Sequence, residues 1–343
     1  METAAAPVDV LVVGAGPVGL ACALEASRQG LSHVVVERGA LLGTLVRWPT
    51  HTVFFSTPEL LEIGGHPFVT ASGKPTRREG LAYYRKVAER EGLEIRLHES
   101  VLSVTGSEGL FRVTTTKGVR AARAVVLATG FFDTPNLLDV PGEDLPKVSH
   151  YYTEPFAHAK TDVLVVGGKN SAVEAALDLY RNGARVTMAV RKAEFGASVK
   201  YWLKPDIENR VKEGSIRAHF DTRVAGIEED RVVLETSGRT FAIPNDFVFA
   251  LTGYRPDFSF LRALGIAVTD DLHVVHDAGT METNVPGLYV AGVVAAGIDI
   301  GKLFIENGRL HAVAIVKHLL ARRGTAPAAP LAAPEIRRFQ DGD

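Results

Sequence analysis

The distribution of apolar and polar positions breaks the chain into short buried runs separated by amphipathic stretches. The first run, Val10-Leu11-Val12-Val13, is apolar at every position. A strand covered on both faces need not alternate, so the run reads as a buried parallel strand. It stops at Gly14-Ala15-Gly16-Pro17-Val18-Gly19, and Leu20 to Arg28 continue as a helix. A second apolar run, Val34-Val35-Val36, ends at Glu37. Val8 to Arg38 is therefore one βαβ unit. Gly39 to Gly65 is irregular and rich in Gly, Pro, Thr and aromatics. A loop of this length either covers a site or packs domains together. Thr76 to Gly92 puts Leu81, Tyr84, Val87 and Ala88 on one helical face, and Glu94 to Leu97 reads as a strand. Val101 to Val126 alternates in short segments with turns expected at Gly106 and Lys117-Gly118, an antiparallel meander. It runs into an apolar strand that ends at Thr129-Gly130.

The pattern then starts again. Asp162-Val163-Leu164-Val165-Val166 leads into Gly167-Gly168-Lys169-Asn170-Ser171-Ala172, and Arg185 to Val190 ends at Arg191-Lys192. A helix is expected over Trp202 to Glu213 and an antiparallel pair over Val224 to Phe241, turning at Ser237-Gly238. Asp246 to Leu251 is a strand ending at Thr252-Gly253, and Val285 to Val293 is the last buried strand. One helix is expected over Phe304 to Ala321. Residues 1–7 read as a mobile lead, and the Ala/Pro-rich tail from Arg323 as disordered.

The two glycine turns give this pattern its chemistry. In G-x-G-x-x-G, Gly14 makes the tight turn, Gly16 admits a pyrophosphate to the backbone and Gly19 lets the helix lie close to the strand. Pro17 suits the first helical position, and the free amides and helix dipole face the phosphates. A carboxylate at Glu37 accepts ribose hydroxyls and repels a 2′-phosphate. The second turn carries Lys169 in the second glycine slot, Ser171 as a phosphate donor and Ala172 in the third slot. Arg191 and Lys192 stand where the first copy has Glu37, which favours a 2′-phosphate and hence NADPH. Two such units imply two dinucleotides.

Length and composition add bounds. The 343 residues allow two or three domains, and 46% hydrophobic with 23% charged content is that of a soluble globular protein. A net charge of −2 gives no basic field for nucleic acid or anionic membrane. Neither a secretory signal nor a membrane-spanning run is expected, so the location expected is cytoplasmic. The single cysteine, Cys22, excludes an internal disulfide, a Cys-x-x-Cys pair and a cysteine-rich metal site. No metal site is expected, and Cys22 reads as a small buried hydrophobe.

Together, two Rossmann units, two Thr-Gly strand ends and the late Leu288-Tyr289-Val290-Ala291-Gly292 strand resemble the two-dinucleotide-binding flavoproteins of the thioredoxin-reductase-like type. A narrower resemblance is to the bacillithiol-disulfide-reductase-like branch. It is carried by Phe54 to Gly64, Gly167 to Ala172 and Phe304-Ile305-Glu306-Asn307-Gly308. The resemblance implies an α/β fold of two Rossmann-like domains, the second inserted in the first, each with a small antiparallel meander. The implied FAD domain is 1–137 and 255–323, the implied NADPH domain 138–254, and the tail 324–343. Implied FAD contacts are Gly14, Gly16, Pro17, Gly19, Glu37, Val101, Thr129, Gly130 and Gly292. Implied NADPH contacts are Gly167, Lys169, Asn170, Ser171, Ala172, Arg191, Lys192 and Gly253. Gly196 stands where thioredoxin reductases often carry a further arginine, and Lys200 is the candidate replacement.

What the resemblance implies for activity is an FAD-dependent NADPH oxidoreductase, a homodimer, with domain rotation about Asp133–Gly142 and Gly253–Pro256. No Cys-x-x-Cys precedes the second turn, where Ser149-His150-Tyr151-Tyr152 stands. The bacillithiol-type enzymes carry a cysteine where this chain has Val18. No catalytic side chain is assigned. The acceptor is left open among a small disulfide, a quinone, a ferredoxin-like carrier protein and oxygen. Two alternatives stand beside this reading, a flavin monooxygenase and an FAD-holding scaffold of poor turnover.

Overall fold

The structure is a computed structural model that describes residues 6–323. The chain opens with β1 (Val8–Val13), α1 (Pro17–Arg28) and β2 (His33–Val36). Two single helical turns, α2 (Gly43–Val46) and α3 (Pro58–Leu61), interrupt the long loop before α4 (Arg77–Arg90). The start of α4 is fixed by a capping box: Glu79 N donates to Thr76 Oγ1 (3.3 Å) and Thr76 N to Glu79 Oε2 (2.7 Å). Then come β3 (Ile95–Arg96), β4 (Val101–Ser107), β5 (Leu110–Thr115) and β6 (Gly118–Leu127). The second unit begins at β7 (Val148–Ser149) and continues through β8 (Asp162–Val166), α5 (Asn170–Arg181), β9 (Arg185–Ala189), α6 (Lys204–Lys212) and β10 (Arg217–His219). It ends with β11 (Thr222–Ile227), β12 (Arg231–Thr236), β13 (Arg239–Pro244) and β14 (Phe247–Ala250). The chain returns to the first unit through α7 (Phe258–Ala263), β15 (Leu288–Val290), α8 (Ile305–Gly308) and α9 (His311–Arg323).

The first sheet has the order β3-β2-β1-β6-β5-β4, with β15 also on β6. The long strand β6 divides one of its edges between two partners. Its first half pairs antiparallel with β5, from Thr115 opposite Gly118 to Phe111 opposite Ala122. Its end pairs parallel with β15, Leu288 to Val290 opposite Val125 to Leu127. The other edge is parallel to β1. Since β15 comes from the end of the chain and β1 from its start, everything in the second sheet is an insertion. That sheet runs β10-β9-β8-β14-β7, and β11-β12-β13 forms a separate meander.

Burial explains why β1 need not alternate: Val10, Leu11 and Val12 are at most 1% exposed. Helices α1 and α9 pack together over the first sheet. The second core joins Val163 and Val165 of β8 to Val173, Ala176 and Leu177 of α5. A third joins Leu164 and Val248 to Val224 and Leu234 of the meander.

Some expected boundaries move. Gly106 lies inside β4 with φ +103°, and the first hairpin turns at Glu108-Gly109 instead. A Cβ at Gly106 would stand 2.4 Å from Leu110 O, so this glycine serves the crossing of the strands. The expected pair over Val224 to Phe241 is three strands, because Glu228 N donates to Arg231 O and closes an extra turn. The expected last helix is two, α8 and α9. Asn307 Oδ1 accepts from Phe304 N (2.7 Å), starting α8 there, and a Cβ at Gly308 would stand 3.1 Å from Gly292 Cα. Trp202 precedes α6, which starts at Lys204. The tail 324–343 and the first five residues of the lead lie outside the described residues. Among the described residues no helix is long and apolar enough to cross a membrane.

Candidate functional site

The end of β1 places three glycines under different constraints. Gly14 has φ +108°, and a Cβ there would stand 2.5 Å from Ala128 O. A Cβ at Gly19 would stand 1.9 Å from Gly14 O. Strand-to-helix packing therefore requires both. Gly16 is different. Its φ is −76°, open to any residue, and a Cβ there would meet nothing within 4 Å. It sits at the N-cap of α1 with no side chain capping the helix. Nothing inside the fold requires glycine at Gly16, and the open space lies where the helix dipole favours an anion.

Glu37, at the end of β2, borders this turn. Its Oε2 accepts from Ala15 N (2.8 Å) and its Oε1 from Gly39 N (2.8 Å). A carboxylate has about four acceptor positions, so each oxygen keeps capacity for a hydroxyl. Pro17 opens α1, and Val101 opens β4 opposite Thr115. Thr129-Gly130 follows β6, and a Cβ at Gly130 would meet nothing within 4 Å. Gly16, Glu37 and Gly130 thus form an open cradle at the carboxyl ends of parallel strands, the usual ligand position in such sheets.

Gly292 closes the cradle from the other side. A Cβ there would press on Val18 at 3.2 Å, and one at Gly308 would reach Val18 Cγ2 at 3.4 Å. The Gly292 amide donates to His311 Nδ1 (3.2 Å). That amide is engaged within the protein, so Gly292 matters for the side chain it lacks. Burial, with the like charge of His276 beside it, pulls the His311 imidazole down to about 4 and keeps it neutral. Gly308 and His311 are site neighbours that the sequence pattern did not single out. The spacing that joins them to Gly292 exists only in the fold.

In the second unit, Gly167 has φ +138°, and a Cβ there would stand 2.6 Å from Leu251 O and 3.0 Å from Ala172 Cβ. A Cβ at Gly168 would stand 2.7 Å from Val190 Cγ1. Lys169 is the N-cap of α5, exposed beside Ser171, while Ala172 is buried. Arg191 and Lys192 are exposed beyond the end of β9. Asn170 proves to be occupied: Nδ2 donates to Ser198 O (3.0 Å) and Oδ1 accepts from Lys200 N (2.9 Å). Glu174, one turn along α5, was not foreseen. Burial pushes its carboxyl up, opposed by the Lys200 charge.

The two units meet at their connectors. Asn136 N donates to Gly253 O (2.9 Å) and Arg255 N to Thr134 O (3.0 Å), so the stretches expected to act as hinges are bonded to each other. Tyr151 and Tyr254 stack at 5.6 Å, with Phe132 4.4 Å from Tyr254. Tyr254 Oη donates to His150 O (2.7 Å) and Tyr151 Oη to Phe132 O (3.0 Å). The long loop packs here too, with Thr50 N donating to Thr153 O (2.8 Å) and Arg47 over the Tyr151 ring (5.1 Å). His150 is tied to Glu143 (3.3 Å), a partner that suits a structural histidine. Cys22 is buried within the first core, and burial pushes its thiol up to about 12.

Comparison with known proteins places this geometry. The family model described as pyridine nucleotide-disulphide oxidoreductase matches residues 11–292. Bacilliredoxin reductase Bdr of Bacillus subtilis (strain 168) is 41% identical over 315 residues, 91% of this chain and 97% of that protein. The structure of bacillithiol disulfide reductase Bdr from Bacillus cereus superposes with a TM-score of 0.90 at 40% identity. It covers 92% of this chain and 100% of that one. Thioredoxin reductase of T. acidophilum shares the fold, with a TM-score of 0.74 at 22% identity over 93% of this chain and 99% of that one.

Proposed function

The chain belongs to the pyridine nucleotide-disulphide oxidoreductase family, and from that membership we propose a specific activity: NADPH-dependent, FAD-mediated reduction of a low-molecular-weight disulfide, without a dithiol in the protein. The protein is an oxidoreductase and flavoprotein of the thioredoxin-reductase-like fold, with FAD and NADPH as its cofactors. The observation that supports the residue assignment is Gly16, where the fold leaves open space at the helix end that a closely approaching ligand would use.

On this reading FAD is held by Gly14, Gly16, Pro17, Gly19, Glu37, Val101, Thr129, Gly130 and Gly292. The first amides of α1 take the pyrophosphate and Glu37 takes the ribose hydroxyls. NADPH is held by Gly167, Lys169, Asn170, Ser171, Ala172, Arg191, Lys192 and Gly253. Arg191 and Lys192 take the 2′-phosphate, and Asn170 acts through the loop it pins. The chemistry supplied by the bound cofactors is hydride transfer from nicotinamide to flavin, then release of two electrons to an acceptor. The protein's residues bind and orient, and none is asked to shuttle a proton between the cofactors.

The disulfide acceptor is favoured by the name of the Bacillus cereus relative, a bacillithiol disulfide reductase. Cys22 cannot serve as the thiol, being buried with its pKa raised. A quinone or a small carrier protein is the competing acceptor. The test is NADPH oxidation against each acceptor, with wild type beside Val18→Cys. Disulfide reduction by wild type supports the proposal, and reduction by Val18→Cys alone overturns it. The cytoplasmic homodimer belongs to the same proposal, its assembly read by light scattering.

A further inference from the structure

The loop 196–202 lies flat on the second glycine turn and reaches across to the first unit. Gly196 N donates to Gly168 O (2.8 Å), and Asn170 holds Ser198 O and Lys200 N with its two amide atoms. A Cβ at Gly196 would stand 3.3 Å from Lys169 Cγ and 3.4 Å from Gly168 O, so glycine allows the close fit. The far end of the loop carries Lys200 and Trp202. Lys200 Nζ stands 4.6 Å from the centre of the Phe55 ring and 5.8 Å from that of Trp202. Trp202 lies 6.1 Å from Phe55 and takes Lys74 Nζ at 5.6 Å on its ring. Phe55 and Lys74 belong to the first unit. Next to Phe55, Ser56 donates to Glu306 of α8. Gly308 of the same helix packs on Gly292 and Val18.

We propose that Lys200 is a positioning residue with two competing partners, the Phe55 ring across the junction and a phosphate of the pyridine nucleotide at the start of α5. The proposal rests on the NADPH reading of the second turn. The backbone amide of Lys200 is bonded to the side chain of Asn170, the first residue of α5. Its backbone is therefore tethered beside the helix end that favours an anion, and its charge is felt by Glu174 one turn along the same helix. A cation over a half-exposed ring is bound more weakly than one donating to phosphate, so phosphate draws Lys200 away from Phe55. Nucleotide binding then frees the Phe55-Ser56 segment, and through Ser56 and Glu306 the change reaches the wall of the first cradle. Linkage makes the effect reciprocal: whatever weakens the Phe55 contact strengthens nucleotide binding.

The experiment is a double-mutant cycle on NADP⁺ affinity in the FAD-loaded protein, measured by calorimetry. Phe55→Leu keeps an apolar side chain and removes the ring face. It should tighten NADP⁺ binding about two- to fivefold, the worth of one exposed cation–π contact. Lys200→Ala should weaken binding, and Phe55→Leu should have no effect in the Lys200→Ala background. A second readout is tryptophan emission in a Trp48→Phe background, where Trp202 is the only remaining tryptophan. NADP⁺ should change that emission when Lys200 is present and not in Lys200→Ala. Unchanged affinity in Phe55→Leu, with Lys200→Ala still weakened, overturns the competition and leaves the NADPH reading standing. No binding of NADP⁺ to wild type overturns both.

Discussion

The carboxylate of Glu37 accepts the amide of Ala15 at 2.8 Å, so the residue at the end of β2 braces the turn at the end of β1. The same side chain is the proposed ribose acceptor. Glu37→Ala should therefore release FAD and loosen the turn together. Charge-assisted hydrogen bonds of this kind contribute about 1.5–3 kcal/mol each. FAD retained after gel filtration should fall at least tenfold. Glu37→Gln, which keeps one oxygen, should lie between.

The glycines of the first turn separate ligand from fold. Gly19→Ala puts a methyl 1.9 Å from Gly14 O and should cost several kcal/mol of stability, within the range of core overpacking. Gly16→Ala meets no protein atom within 4 Å, so stability should change by less than about 1 kcal/mol. Its FAD affinity should nonetheless drop by more than about tenfold, because the methyl occupies the approach to the pyrophosphate. Thermal melts and flavin titrations of the two variants make the comparison. Equal FAD affinity in Gly16→Ala and wild type would remove the cradle.

His311 gives a pH dependence. Its imidazole accepts from Gly292 N and stays neutral because its folded pKa is pulled to about 4, below the usual histidine value of about 6.5. Below about 6.5 the unfolded chain takes up a proton that the folded chain does not take until near 4. Stability from this site is thus present above about 6.5 and is lost as pH falls through that window. Melting temperature should fall as pH is lowered from about 6.5 to about 4, and the fall should be smaller in His311→Asn.

The cofactor preference of the second unit should follow Arg191 and Lys192, both exposed beside the end of β9. Replacing both by Ala should raise the KM for NADPH by about tenfold or more and leave that for NADH within about twofold, since only one of the two carries the 2′-phosphate. A parallel rise for both nucleotides would place these cations elsewhere.

What the chain disclosed by itself was the set of elements whose identity is local. The Val10–Val13 and Val163–Val166 strands and the two glycine turns depend on neighbours a few residues away. Their residues carry the reason: a continuous apolar run and a turn that requires glycine. The split of the last helix was hidden because it depends on Gly308 meeting Gly292 across the core. The third strand of the second meander was hidden for a different reason. Asp230-Arg231 resembles any polar turn until Val232 and Leu234 are seen packing on Leu164 and Val248. Around the site, the packing roles of Gly14 and Gly19 were readable, but the partners of Asn170, His311 and Lys200 were not. Each is joined to its partner by a fold-level approach of elements separated in the sequence.

On the proposed function, one polypeptide holds a flavin in the first cradle and its reductant in the second, within reach of each other. The measurement is anaerobic titration of the purified, FAD-loaded protein with NADPH, followed at the flavin absorbance band. Bleaching should be complete at about one equivalent, as expected for a two-electron hydride donor. A protein that stays colourless after incubation with FAD, or a flavin band that NADPH leaves unchanged, contradicts it.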